Sequence, residues 1–455
     1  MSEIVRWWVA YALKGDGGGR LAGSVFGRRV MTLVTGTLSG HLVMAAVTPV
    51  VSRLYTTQDF AVIGIFISLL SLIVVVSDGG YSRAVLLPDS DAVGASALVL
   101  GAWMVGAASG ATVIGVWLFK DHLSLWTNAP VLGRYLWWLP VMVLAAGLYQ
   151  VGSFWAIRRH AYHLIARTRV ELSAGQAVTI VALGFAKIGG VGLIIGDAVG
   201  AVLGAVRLAH FAWRRDSTLL RGVTRAGLWS VAGRYAYFPL FAMPASLLQS
   251  LQTKIPILLI AGFYGAHAAG SLTFAHGVMW VLTTVVSDTV AQVYLGRGAE
   301  LARRHPEELR QLFHRAARLL LTTLAPPLVL LGVVAPPLFA AVFGGEWLEA
   351  GHYVRSLVPA LLARLVVGPI FQTLTILERQ AWVFWTNATS VVLIAAGFVL
   401  SHVIGLSAGR AVELYSASVF LTYAALFVLA RKAIGGALSA SAPHVAAGSD
   451  RSWHA

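Results

Sequence analysis

The run FAVIGIFISLLSLIVVVSDG, residues 60–79, carries one charge, Asp78. A helix of that length spans about 30 Å, the hydrocarbon thickness of a bilayer. A soluble domain could hide one such helix in its core, so the rest of the chain decides. Of 455 residues, 58% are hydrophobic and 12% charged, and the mean hydropathy is +0.76. Polar surface is too scarce to cover a water-soluble globule. Apolar runs of comparable length recur near 30–51, 93–118, 136–156, 172–186 and 191–211. A second set follows near 237–263, 268–293, 319–343, 353–376, 381–403 and 411–429. The expected fold is an all-α integral membrane protein with about twelve transmembrane helices, each satisfying its own backbone hydrogen bonds. The fifth run is the shortest, and it leaves a merged or re-entrant pair with the sixth as an alternative.

The formal net charge of +15 does not point to nucleic acid, because the basic residues sit in short loops between apolar runs. Cytoplasmic loops retain Lys and Arg. With a cytoplasmic N-terminus, 26 of the 34 basic residues fall on the inside. Six fall outside (Arg53, Lys120, Arg134, Lys187, Arg355 and Arg410), and Lys254 and Arg364 lie within helices. A miscount by one helix would scramble that alternation, so both termini are expected in the cytoplasm. The implied organisation is a cytoplasmic N-terminal segment (1–29), a six-helix lobe (30–213), a cytoplasmic linker (214–236), a second six-helix lobe (237–432) and a disordered cytoplasmic tail (433–455). Residues 5–13 suit an interfacial helix, and no removed signal peptide is read in the first 29 residues. No loop exceeds about 30 residues, too short for an appended domain. That argues against a membrane polymerase or glycosyltransferase, which needs a loop carrying its catalytic groups. Cysteine is absent, so a disulfide, a thiolate metal site and a cysteine nucleophile are excluded. Nothing in the residues points to a metal or an organic cofactor.

The two sets of six runs look like a repeat. Tyr55 precedes an apolar stretch ending Val75-Val76-Ser77-Asp78, and Tyr264 precedes one ending Val285-Val286-Ser287-Asp288, with Tyr-to-Asp spacings of 23 and 24. Each unit follows a helix with a late proline, Pro49 or Pro256. Two lobes related by a pseudo-two-fold axis, with a substrate path between them, are the expected arrangement.

Several blocks resemble one family. Pro49-Val-Val-Ser-Arg53-Leu-Tyr55-Thr-Thr-Gln-Asp59-Phe60 and Gly80-Tyr81-Ser-Arg83-Ala84-Val-Leu-Leu-Pro88 are similar to segments of polysaccharide-biosynthesis flippases. So are Tyr237-Phe238-Pro239, Pro256-Ile-Leu-Leu-Ile and, most specifically, Phe343-Gly-Gly-Glu346-Trp347-Leu-Glu349-Ala350-Gly351, followed by Pro369 and Leu377-Glu378-Arg379-Gln380. These flippases form the oligosaccharide group of the multidrug/oligosaccharidyl-lipid/polysaccharide exporter superfamily. The resemblance implies a transporter, not an enzyme, that moves undecaprenyl-pyrophosphate-linked oligosaccharide from the cytoplasmic to the periplasmic leaflet of a bacterial inner membrane. It also implies a monomer among membrane lipids, with a polysaccharide polymerase and export machinery as partners. His41 and Arg83 depart from the family pattern, His41 from a neutral polar residue and Arg83 from an acidic one. An organic-cation exporter of the same superfamily is the alternative, but acids would be expected in its cavity.

A pyrophosphate crossing a low-dielectric layer needs cations facing a water-filled path. Arg364 and Lys254 are the mid-helix cations and the first candidates, with Gln249 and Gln252 adding hydrogen-bonding capacity. Each cation could equally hold helices together by pairing with Asp197 or Asp288. Arg53 and Arg83 stand at membrane boundaries, where they could meet substrate or headgroups. His41, Asp197 and Asp288 are candidates for ion coupling, with helix packing the plainer role for His41 and Asp197 and a solvated cap for Asp78 and Asp288. Pro239, Pro244 and Pro256 remove backbone hydrogen bonds and are candidate hinges. Asn387-Ala-Thr389 matches a glycosylation acceptor but lies in an apolar helix, and no role is read from it.

Overall fold

The computed structural model describes residues 25–446 apart from 128, 130 and 305. Twelve long helices follow in chain order. The first six are α1 (Val25–Leu54), α2 (Thr57–Ser77), α3 (Asp91–Trp126), α4 (Leu139–Arg158), α5 (Tyr162–Phe185) and α6 (Val191–Arg221). The second six are α7 (Met243–Tyr264), α8 (Ala266–Arg304), α9 (Pro306–Phe343), α10 (Leu348–Ile370), α11 (Gln380–Val403) and α12 (Ala408–Ala446). Among the described residues, nine of these, some extended by a short helix beside them, are long and apolar enough to cross a membrane. Of the remaining three, α5 turns Gln176 toward an internal cavity rather than to lipid. Outward faces carry exposed Trp103, Trp117, Val206 and Val333, which only an apolar surrounding tolerates in such number. The chain is a multi-pass membrane protein.

Packing reproduces the repeat. α1 lies on α5 as α7 lies on α11, α3 on α4 as α9 on α10, α4 on α6 as α10 on α12, and α5 on α6 as α11 on α12. The two six-helix lobes meet chiefly where α2 packs against α7 and α8. At that seam Gly64 and Gly270 let the helices approach closely. A methyl at Gly270 would sit 1.7 Å from the Thr57 carbonyl oxygen, and one at Gly64 2.0 Å from Thr273 Oγ1.

Helix ends differ from the hydropathy reading. The fifth run is the second half of a full helix, α5, whose first turns hold Arg167, Arg169 and Glu171, so it is neither merged nor re-entrant. α3, with 36 residues, and α9, with 38, outrun the hydrocarbon because helical hydrogen bonding continues into the interfacial zone, where hydropathy falls silent. Part of the linker is helical: α6 runs to Arg221, kinked at Asp216 (φ −130°, ψ 25°), and a separate helix spans Arg225–Arg234. α12 likewise continues to Ala446 where a disordered tail from 433 is expected, and Ala433, Ile434 and Leu438 explain its first turns by packing into the core of the second lobe. Residues 1–24, including the expected interfacial segment 5–13, and 447–455 lie outside the described residues.

Asp78 is buried rather than solvated: its carboxylate accepts from the backbone N–H of Gly80 (2.9 Å) and Ser82 (3.1 Å), capping the turn after α2. Nearby, Arg158 and Arg159 both grip Asp91 (2.9 and 2.6 Å), and Arg159 also holds Asp216 (2.7 Å), which accepts from Trp155 Nε1. That network ties the start of α3, the end of α4 and the kink of α6 into one block.

Candidate functional site

One end of the lobe interface is sealed. Where α1 ends, Ser52 Oγ donates to the Phe343 carbonyl at 3.2 Å, and the Ser52 carbonyl accepts from Trp347 Nε1 at 2.9 Å. Trp347 sits on the one-turn helix Gly345–Trp347, is fully buried, and packs against Phe60 of the first lobe and Phe274 of the second. Beside it, Thr57 Oγ1 lies 2.9 Å from His267 Nδ1, and His267 Nε2 lies 2.8 Å from Glu349. Tyr353 donates to the other oxygen of Glu349. These contacts knit α1 and α2 to α8, α9 and α10.

Behind the seal lies a cavity of about 540 Å³. The first lobe contributes Ser68, Gln176 and Asp197; the second contributes Thr253, Lys254, His276 and Arg364. Lys254 is at the middle of α7, and Arg364 stands six residues from the end of α10, further from the seal than hydropathy places it. Gln176 donates to Asp197, and Asp197 and Lys254 attract each other across the lobe boundary. His276 lies within electrostatic reach of both Lys254 and Arg364. A lone charge in such a place is costly, so the pairing and the water the cavity admits are what make these groups tolerable.

The cavity adjoins a chamber of about 1020 Å³, and Thr253, Arg364, Tyr415 and Val419 line both. Gln249 and Gln252 line it from α7, Asn387 from α11 and Tyr423 from α12. Arg83 stands at its edge and donates to Ser246 Oγ at 3.0 Å, linking the first lobe to α7. The chamber flanks the start of α7, where Phe238–Ala242 forms a π-helical turn containing Pro239 and followed by Pro244. Proline cannot supply the amide that an α-turn requires, and the wider turn absorbs the missing donor. Pro256 lies inside α7 among buried residues.

Of the residues singled out in the sequence, Lys254, Arg364, Asp197, Gln249, Gln252 and Arg83 come together around this double cavity. Arg53 does not line it; it reaches the Val342 carbonyl at the sealed end. His41 is half-buried in α1, outside both linings, and the Asp288 side chain lies outside the described residues. Missing from the sequence reading were His276, Gln176 and Asn387. The last is hydrogen-bonded by Gln252 Nε2 through both Oδ1 (3.1 Å) and its carbonyl (3.2 Å).

Comparison with known proteins agrees with this architecture. The chain superposes on an inward-facing multidrug resistance MATE family transporter of the MOP superfamily with a TM-score of 0.69 and 13% identity, covering 96% of this chain and 99% of that one. An inward-closed structure of the lipid II flippase MurJ gives 0.67 and 11%, covering 94% and 93%. A mutant of the Vibrio cholerae MATE transporter VcmN gives 0.57 and 14%, covering 96% and 99%. At such identities the likeness is one of fold. No curated protein matches the chain in sequence. The family model described as polysaccharide biosynthesis protein matches residues 50–352, two thirds of the chain, and the protein belongs to that family.

Proposed function

We propose that the protein flips an undecaprenyl-pyrophosphate-linked oligosaccharide from the cytoplasmic to the periplasmic leaflet of a bacterial inner membrane by alternating access. The observation that carries the reading is the pair Lys254 and Arg364 in one cavity between the lobes, sealed at one end by Ser52, Trp347 and Thr57. A diphosphate is the part of such a lipid least able to enter hydrocarbon, and two cations in a hydrated cavity lower that barrier. The seal is on the Lys- and Arg-poor side of the expected topology, so the substrate enters from the cytoplasm. Outward opening then requires the Ser52, Trp347 and Thr57 contacts to break while the start of α7 bends at Pro239 and Pro244. Membership of the polysaccharide biosynthesis family and the likeness to a lipid II flippase support a lipid-linked substrate. The protein works as a monomer and hands its product to a polymerase and export machinery.

Asp197 favours a second reading, an organic-cation exporter, since a cavity carboxylate attracts cations. Lys254 faces that carboxylate and offsets it. The test is complementation of a strain lacking its own flippase, comparing the wild type with Arg364→Ala at matched membrane expression. The wild type restores surface polysaccharide, and the variant loses at least about tenfold in export, as expected when a charge-assisted contact worth about 1.5–3 kcal/mol is removed. Full activity of Arg364→Ala, or organic-cation efflux without any glycan export, would sink the reading.

A further inference from the structure

The two adjoining cavities differ in chemistry. The smaller, under the seal, gathers the ionisable groups Asp197, Lys254, His276 and Arg364. The larger is lined by five carboxamides, Gln249, Gln252, Gln372, Gln380 and Asn387, and among the described residues lining it there is no carboxylate. Its walls also carry aromatic faces, Trp385 and Phe384 beside Asn387 on α11 and Tyr423 on α12. Carboxamides offer donors and acceptors at neutral charge, matching vicinal hydroxyls, and aromatic rings offer flat apolar faces with polar edges. Gln252 donates to Asn387 Oδ1, which fixes both amides. The Asn387 amide hydrogens and the Gln252 carbonyl oxygen then have no other hydrogen-bond partner among the described residues.

We propose that the larger chamber is a saccharide subsite: it holds the first sugar rings of the glycan on these carboxamides while the diphosphate occupies the Lys254 and Arg364 cavity. The inference rests on the flippase reading and adds to it the position and chemical class of the head group. Covalent structure demands such an arrangement, because the diphosphate is bonded directly to the first sugar and the two subsites must therefore touch. They do, at Thr253 and Arg364. At about 1020 Å³ the chamber is larger than a single ring needs, at the upper end of the roughly 300–1,000 Å³ common for small-molecule sites. With Arg83 and Arg364 the only charged groups among the described residues lining it, it accepts neutral sugars and uronic acids and disfavours sugars bearing a free ammonium group.

Binding to the full-length protein in nanodiscs tests this with two probes, undecaprenyl diphosphate and the same lipid carrying a neutral disaccharide. The wild type is expected to bind the disaccharide form about tenfold more tightly, the yield of one or two net hydrogen bonds. The double variant Gln252→Leu/Asn387→Leu, which leaves no amide orphaned, abolishes that margin and keeps undecaprenyl diphosphate binding within about twofold. Arg364→Ala weakens both probes alike. Equal affinity of the wild type for the two probes overturns the saccharide subsite and leaves the flippase reading standing. So does a double variant that loses the bare diphosphate as strongly as the disaccharide form. Failure of the wild type to bind either probe overturns both. Thr375→Cys, at the chamber wall of a chain with no cysteine of its own, gives a second measurement: the disaccharide probe protects it from maleimide and undecaprenyl diphosphate does not.

Discussion

Lys254 and Asp197 belong to different lobes and attract each other in the inner cavity, so neither acts alone. Removing one partner of a fully buried pair costs about 3–5 kcal/mol, and a cavity open to water reduces that figure. Lys254→Met is therefore expected to lower thermal stability in detergent, and adding Asp197→Asn to restore most of the loss. Additive effects in that double-mutant cycle would mean the two charges do not feel each other. Under the proposed flippase role, transport separates the two effects: the rescued double variant is expected to remain poor at exporting glycan, because it lacks a cation to meet the diphosphate. Lys254 and Arg364 were legible in the sequence because a charge in the middle of an apolar run has no cheap explanation. His276 and Asn387 were not, since a neutral polar residue in a helix looks the same whether it faces a cavity or a neighbouring helix. Arg53 was legible as a boundary residue, but the choice between substrate path and seal depends on which helix ends the fold brings beside it.

At the scale of elements, the block Phe343 to Gly351 is the most distinctive stretch of the chain, and its place explains the residue types. Gly344, at φ 114°, makes a turn that other residues resist, and it delivers Trp347 into the lobe junction. Trp347→Ala removes a buried ring and the hydrogen bond to Ser52, a truncation of a kind that costs about 3–5 kcal/mol, charged mainly to the sealed state. The variant should expose the cavity from the sealed side: a cysteine introduced at Thr273 becomes accessible to an impermeant maleimide added there, whereas in otherwise unaltered protein it stays protected. Gly270→Ala should act the same way by wedging α2 from α8. Continued protection in both variants would place the gate elsewhere. Hydropathy located all twelve helices but misjudged their ends, because it measures partition into hydrocarbon and says nothing of helices that persist beyond it. The π-turn at Phe238–Ala242 shows the same limit: two prolines announce irregularity, but the form it takes depends on the packing of α7.

For the molecule as a whole, the direction of transport depends on orientation, and the orientation rests on charge. The segments assigned outside hold six basic residues and those assigned inside hold 26, a bias far beyond what an indifferent insertion would leave. Under the proposed function that bias has a meaning, because the larger chamber lies toward the end of the fold assigned to the basic side and Trp347 closes the lobes at the other. Two single cysteines check it in a chain that has none. Arg410→Cys, exposed at the start of α12 on the sealed side, should react with a membrane-impermeant maleimide added to intact spheroplasts. Arg379→Cys, on the turn before α11, should react only in inside-out vesicles. The reverse pattern would invert the protein in the membrane, turn the sealed face toward the cytoplasm and make the resting state one that receives substrate from outside. An exporter poised to accept cytoplasmic lipid requires the pattern first described, since a ligand shifts a two-state transporter only through the state it can enter.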